Sequence, residues 1–268
     1  MAFDVSKLMD RLADVGLNHA GVVDVSTYNE GVGAELHTDS LAPWARSVVV
    51  FASGGSGLWD ALLSDLRRNP SHFTDSTHPL DDFVQRSIDG VNDALGGIQH
   101  RWVRASADAD VHLDFRRLAV IAGLGSPSRL GLVIHPKFGP WMGLRAACFL
   151  PVDLPVSDPA IDLCGGCPAP CIDACPGDAF VDGLWEVSLC ADFHRRSSLC
   201  AVDCGSRIAC PVGADHRYPE IERRYHNDRV GGRKLIAQLL NIEHDYRVGV
   251  GPHWGDWSSA VEDTGSDE

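Results

Sequence analysis

Eight of the chain's nine cysteines fall between Cys164 and Cys210, and no other feature limits the fold as much. The first group reads Cys164-Gly-Gly-Cys167-Pro-Ala-Pro-Cys171-Ile-Asp-Ala-Cys175-Pro176. The second reads Cys190, then Cys200-Ala-Val-Asp-Cys204, then Cys210-Pro211. This spacing is too regular for scattered core positions. A disulfide framework suits a short secreted chain, and a reducing cytosol would undo it. Structural zinc usually takes pairs of close cysteines separated by a longer loop. Iron–sulfur ligation asks for the run Cys-x2-Cys-x2-Cys-x3-Cys-Pro, met twice. The first group matches with one extra residue between its second and third cysteines, and the second is stretched but also ends in Cys-Pro. In that pattern three close thiolates wrap one cubane and the fourth, just before proline, ligates the other. The expectation is therefore two [4Fe–4S] clusters, one on Cys164, Cys167, Cys171 and Cys210, the other on Cys175, Cys190, Cys200 and Cys204. The spacing leaves open whether Cys190 is a ligand, and one cluster beside another metal, zinc, and disulfides stay as alternatives. The ninth cysteine, Cys148, lies in the apolar stretch Ala146–Leu150 and reads as a buried strand residue.

The rest of the composition is that of a globular chain. Over 268 residues, 44% are hydrophobic and 22% charged, enough for one large domain or two small ones. No apolar run reaches the roughly 18 residues needed to cross a bilayer. The amino-terminal stretch lacks a basic region followed by an apolar one, so no secretory signal is expected, and the chain reads as cytoplasmic. Its net charge of −14 argues against broad nucleic-acid binding, which needs a basic footprint.

Residues 1–158 alternate between helical and strand patterns. Helices are expected at 5–15, 59–67, 79–95 and 114–122, and strands at 21–23, 47–51 and 98–103. Leu132–Ile134 and Ala146–Val152 read as a strand pair joined by the turn-rich His135-Pro-Lys-Phe-Gly-Pro140. No Gly-x-Gly-x-x-Gly follows a strand, so a nicotinamide-binding Rossmann unit is not supported. Pro151 to Pro159 reads as a linker into a cysteine module at 159–245, which ends in helices at 219–226 and 232–241. A tail at 246–268 closes the chain; its last residues, 261–268, are acidic and expected to be disordered, and Trp254 and Trp257 would pack it down.

The glycine- and proline-rich connector from Arg129 to Ala147 carries the candidate cofactor contacts Gly131, His135, Phe138, Gly139, Trp141 and Arg145. Gly139 and Gly143 permit close backbone approach to a flat ligand, Phe138 and Trp141 offer stacking area, and Arg145 can hold a carboxylate, amide or phosphate. The same residues also read as a tight hairpin with both rings tucked into the core, with His135 satisfied by backbone and Arg145 in an ordinary ion pair. Asp108, Asp110 and Asp114 are either an acid for substrate protonation or an exposed acidic loop. His216 and the run His194-Arg195-Arg196 could tune a cluster, or be surface residues.

This connector resembles the cobalamin-trafficking CblC family, whose members carry Gly-Val-x-Ile-His-Pro-Arg-Phe-Gly-Gly-Trp-Phe-x-Ile-Arg-Gly. Gly131, His135, Pro136, Phe138, Gly139, Trp141 and Arg145 match, while Lys137 and Pro140 depart. The resemblance implies an α/β fold of the nitroreductase/CblC-like α+β type, with bound cobalamin. The cysteines are similar to those of epoxyqueuosine reductases and reductive dehalogenases, which join such a domain to a bacterial-type two-cluster ferredoxin module. Three departures from epoxyqueuosine reductase stand out. Ser126-Pro-Ser128 replaces Trp-x-Gly-Lys after Ala122-Gly-Leu-Gly125, Ala109 falls where the catalytic aspartate is expected, and no helical-repeat extension for tRNA follows. A nucleic-acid substrate is therefore not expected.

The combined expectation is an iron–sulfur oxidoreductase that binds a corrinoid and reduces it, for upper-ligand removal or chemistry on a small substrate. It would take electrons from an external donor of the flavodoxin or ferredoxin reductase type. Flavin is the other candidate occupant. The rival is a non-enzymatic ferredoxin-type electron carrier or redox sensor whose first domain docks a partner.

Overall fold

A computed structural model of the chain describes residues 5–105 and 113–243. The elements run α1 (Val5–Ala13), β1 (His19–Asp24), α2 (Val25–Glu30), β2 (Ser47–Gly54), α3 (Gly57–Arg68), α4 (Ser71–Thr74), α5 (Pro79–Asp89), β3 (Arg101–Arg104), α6 (Phe115–Ile121), β4 (Ser126–Pro127), β5 (Val133–Ile134) and β6 (Met142–Leu150). The cysteine-bearing part adds α7 (Pro170–Asp173), β7 (Phe180–Val181), β8 (Leu184–Trp185), α8 (Val187–Arg196) and α9 (Gly205–Ala209), and α10 (Glu220–Asn227) and α11 (Arg229–Leu240) follow.

β1, β2, β6 and β3 form an antiparallel sheet in that order. All eight residues of β2 are buried, because both faces of the sheet are covered. Val49, Phe51, Cys148 and Leu150 face a core built with Leu8 and Leu12 of α1, Trp59 and Leu62 of α3 and Val84 and Ile88 of α5. Val48, Val50, Ala147 and Phe149 alternate onto the other face, against Tyr28 of α2 and Leu118 and Ala119 of α6. This is the period-two pattern of a strand buried on both sides. Cys148 sits in the middle of it, paired in register with Val49 and fully buried, where desolvation pushes its thiol far above the usual range.

Three expectations about strands and helices of the first 158 residues need correction. β5 does not pair with β6. It pairs with β4, while β6 lies between β2 and β3. The reason is the turn at 135–139. His135 and Gly139 exchange backbone hydrogen bonds (3.0 and 2.7 Å), and Gly139, at φ 56°, turns the chain away before a hairpin can extend. The expected helix 79–95 stops at Asp89, and Val91 and Leu95 continue its apolar stripe through a short turn at Asn92–Leu95. The strand expected from Ile98 starts only at Arg101, after Gly96 and Gly97 at positive φ.

The stretch expected as a linker is laid along β1. Ser157 donates its backbone N–H to the Val22 carbonyl (3.1 Å), and its hydroxyl accepts from Val22 N–H (2.9 Å). α10 and α11, expected within the cysteine module, pack into the core of residues 1–158. Tyr225, Ile236 and Ala237 join the α3 side of that core, with the Tyr225 ring 5.2 Å from Trp59. The Arg233 guanidinium lies 4.6 Å over the Phe73 ring. Among the described residues no helix is long and apolar enough to cross a membrane. The tail, including Trp254 and Trp257, lies outside the described residues.

Candidate functional site

The eight clustered cysteines separate into two sets. Cys164, Cys167, Cys171 and Cys210 line one small cavity of about 20 Å³, whose walls include Leu130, Ile134, Leu163 and Val212. Cys175, Cys190, Cys200 and Cys204 line another, of about 270 Å³, with Ala179, Trp185 and Phe193. The chain achieves this by letting Cys175 leave its neighbours at the end of α7, while Cys210, at the end of α9, returns to them. The residue in excess of the expected spacing is absorbed at Ala169, which adopts a left-handed conformation (φ 57°) before Pro170 starts α7. None of the nine cysteines is in a disulfide.

Among the described residues, no three His, Cys, Asp or Glu side chains converge on a single metal-ion position. A cubane makes a different demand, because its four ligands bind four separate corners and stand farther apart than the ligands of one ion. Backbone N–H groups already point at two sulfurs, from Ala169 to Cys167 Sγ and from Ala179 to Cys175 Sγ (3.4 Å each). Such bonds tune cluster potential. Burial raises the thiols of Cys171, Cys190 and Cys210 and pushes Cys200 up to about 11, with the neighbouring cysteines of the same set adding to each shift. Loading a metal group must therefore expel protons.

Next to the second set lies a cleft of about 350 Å³ between β5, β6 and the cysteine-bearing segment. Leu132, Val133, Met142, Gly143, Leu144 and Arg145 form one wall, and Arg207, Tyr218, His226 and Asn227 the other. Leu132, Arg207, His226 and Asn227 border both this cleft and the second cysteine cavity, so the two spaces adjoin. The cleft is of the size of small-molecule sites, roughly 300–1,000 Å³.

Of the six candidate cofactor contacts, the structure brings only Arg145 to this cleft. Its Nε donates to Ser53 Oγ (3.0 Å), and its guanidinium lies over Gly143, where a Cβ would come within 2.5 Å of it. The others are taken up by the protein itself. Trp141 is 1% exposed, with the Arg207 guanidinium 4.5 Å over its ring and Tyr218 at 5.5 Å. Phe138 is 6% exposed and is surrounded by the rings of His19, His135 and His216 at 4.7–5.0 Å. A Cβ on Gly139 would fall 1.8 Å from the Val212 carbonyl oxygen, and one on Gly131 2.6 Å from the Trp185 ring. The close approach that these glycines permit is that of the cysteine-bearing segment, not of a ligand. Gly131 nonetheless borders a smaller cavity next to the cleft, with Arg116 and Arg117. His135 Nδ1 accepts the backbone N–H groups of Lys137 and Phe138 (3.0 and 3.2 Å). Burial and the charges of His19, Lys137 and His216 lower it to about 4.

Asp114 caps α6, accepting from Arg117 N–H (2.9 Å), whereas Asp108, Ala109 and Asp110 lie outside the described residues. His194, Arg195 and Arg196 form the last turn of α8, where Arg195 pairs with Asp192. Sequence reasoning missed Arg207, Tyr218, Glu222 and His226. The only available signal was the helical spacing of the last two, because which wall α10 joins depends on tertiary packing.

No family model matches the chain. A segment is 36% identical, over 96 residues, to an epoxyqueuosine reductase of Staphylococcus aureus (strain NCTC 8325 / PS 47), covering 35% of this chain and 24% of the relative. The match thus spans about a quarter of that relative. The fold is similar to that of the B12-trafficking protein CblC of C. elegans, with a TM-score of 0.58 at 14% identity over 90% of this chain and 98% of the other. It is also similar to an epoxyqueuosine reductase solved with an epoxyqueuosine-modified tRNA stem loop, with a TM-score of 0.54 at 17% identity over 82% and 69%. The resemblance to these two groups read from the motifs is borne out.

Proposed function

We propose that this chain is an iron–sulfur oxidoreductase that reduces a corrinoid held in the cleft, either to strip its upper ligand or to act on a small substrate. One observation carries the reading. The eight cysteines form two sets of four, and the cavity of the second set adjoins the cleft beside Arg145, with Leu132, Arg207, His226 and Asn227 bordering both. Electrons entering at the first set would pass to the second and arrive at the cleft wall without leaving the protein.

The residues fit the groups proposed. Two [4Fe–4S] clusters would sit on Cys164, Cys167, Cys171 and Cys210 and on Cys175, Cys190, Cys200 and Cys204, in a ferredoxin-like arrangement. Their largely apolar shells limit water access, which is one of the protein's levers on potential. The corrinoid would supply low-valent metal chemistry at one point of the cleft. Leu132, Val133, Met142 and Leu144 give it an apolar floor, and Arg145, anchored on Ser53, offers a charged donor at the edge. His135, Phe138, Gly139 and Trp141 act behind that wall by locking it to the cysteine-bearing segment. Electrons would come from an external donor of the flavodoxin or ferredoxin reductase type.

A small molecule or the corrinoid itself is the proposed substrate. The similar reductase solved with a tRNA stem loop makes nucleic acid the competing substrate, against which stands the net charge of −14.

Anaerobic reconstitution followed by gel filtration with hydroxocobalamin tests the proposal. The expected result is about eight irons per chain, as two cubanes require, with stoichiometric co-elution of corrinoid. Arg145→Ala should weaken corrinoid binding and leave the iron content unchanged. Clean separation from corrinoid reduces the chain to an electron carrier with a partner-docking domain. Co-elution of flavin instead names the other occupant, and iron near four removes one cluster.

A further inference from the structure

We propose that Glu222 and His226 are the proton source of the cleft, with Glu222 holding the proton and His226 handing it to the group being reduced beside Arg145. The inference rests on the reductase reading and assigns an acid to it; in the sequence, Ala109 stands where the resemblance places an aspartate.

The two residues are one turn apart on α10, and Glu222 Oε1 lies 4.0 Å from His226 Nε2. His226 borders both the cleft and the second cysteine cavity. Glu222 is 3% exposed and borders neither space. Glu222 Oε2 and His226 Nε2 are both buried without a hydrogen-bond partner. As a structural device this pair is poor, because each unsatisfied buried polar atom costs stability that an apolar residue of the same shape would not.

The groups facing the pair come from every surrounding element. Ser56, just before α3, and Asp60 of α3 approach Glu222, Arg145 comes from β6, Arg207 from α9 and Arg229 from α11, while the Tyr218 and Tyr225 rings lie 5.8 and 5.7 Å from that of His226. Burial nevertheless dominates. It pushes Glu222 up to about 8 against the pull of Ser56, Arg145 and Arg207, and it holds His226 well below its usual range with help from the three arginines. At neutral pH this sets a protonated acid beside a base free to accept, and transfer between them needs the 4.0 Å gap to close to hydrogen-bond reach.

A two-electron reduction in the cleft balances as A–B + 2e⁻ + 2H⁺ → A–H + H–B. The electrons would come from the external one-electron donor, relayed by the groups that the two cysteine sets would hold. One proton leaves the Glu222 carboxyl for His226 Nε2, while the other ring nitrogen releases its own proton to the substrate. The second proton enters from water, which also reprotonates the Glu222 carboxylate.

Infrared spectroscopy on the reconstituted full-length chain, loaded with hydroxocobalamin, provides the test. At pH 7 the wild type should show the carbonyl band of a neutral carboxylic acid that shifts in deuterated water, titrates away above about 8 and is missing in Glu222→Gln. Reduction with dithionite should perturb this band, and His226→Gln should keep the band but lose the perturbation. Absence of the band in the wild type, its survival in Glu222→Gln, or an unchanged perturbation in His226→Gln overturns the proposal. The wild-type band and its titration need no variant, so a misfolded substitution leaves the test standing. Iron content and hydroxocobalamin co-elution are measured on the same wild-type sample. If both hold and the infrared result fails, only the proton assignment falls; if they fail, the reductase reading falls and takes the proton assignment with it.

Discussion

His135 shows how a motif residue can be held by its own turn. Two backbone N–H groups converge on its Nδ1, so the imidazole must be neutral there, and its value falls from 6.5 to about 4. A folded-state value below the unfolded one stabilises the native chain above pH 6.5, and that contribution is lost as pH falls through 4. Urea melts near neutrality and near pH 4 should therefore show a loss of about 1–2 kcal/mol attributable to this residue, once the half-exposed ring is discounted for solvent. In His135→Asn, which keeps an acceptor at the turn, that loss should disappear. The division of the cysteines into two sets of four was the most legible feature of the sequence, because the spacing around Cys175-Pro176 and Cys210-Pro211 already separated those two from their neighbours. Phe138 and Trp141 were less so, since an aromatic side chain in a glycine-rich turn carries no sign of whether a ligand or the protein covers it.

At the scale of elements, the turn at 135–139 and the loop after Cys210 interlock. Gly139 admits the Val212 carbonyl, and in return a Cβ on Gly213 would fall 2.2 Å from Phe138 backbone atoms. Arg207 adds two hydrogen bonds to the Pro140 carbonyl (3.1 and 2.6 Å). Gly139→Ala should accordingly cost several kcal/mol, combining a left-handed backbone with a clash that neither loop can relieve. Its thermal midpoint should fall well below that of Gly96→Ala, another positive-φ position, where a Cβ would meet nothing within 4 Å. Buried strands and amphipathic helices were readable from period alone, as at Ser47–Phe51 and Gly57–Arg68. The pairing of β5 was not, because a two-residue strand carries no periodicity and its partner β4 contains a proline.

Over the whole molecule, the chain leaves its first core at Leu150, builds the cysteine-bearing segment and returns through α10 and α11. Tyr225 is the pin of that return, buried against Trp59 with the Arg229 guanidinium 5.0 Å over its ring. Tyr225→Ala should cost about 3–5 kcal/mol, as truncation of a large buried aromatic does, and chemical denaturation should show both parts unfolding in a single transition. Nothing in the first 158 residues announces that this core waits for a strand-distant helix pair, so the domain organisation was the least readable level. The segment is thus held at its entry, where Ser157 bonds to β1, at its middle by the interlocked glycines, and at its exit by α10 and α11. A relay clamped at three points has no diffusive search between its stations. Under the proposed function, the internal hop would be set by separation alone, indifferent to viscosity, ionic strength and dilution, and only delivery from the external donor would respond to them.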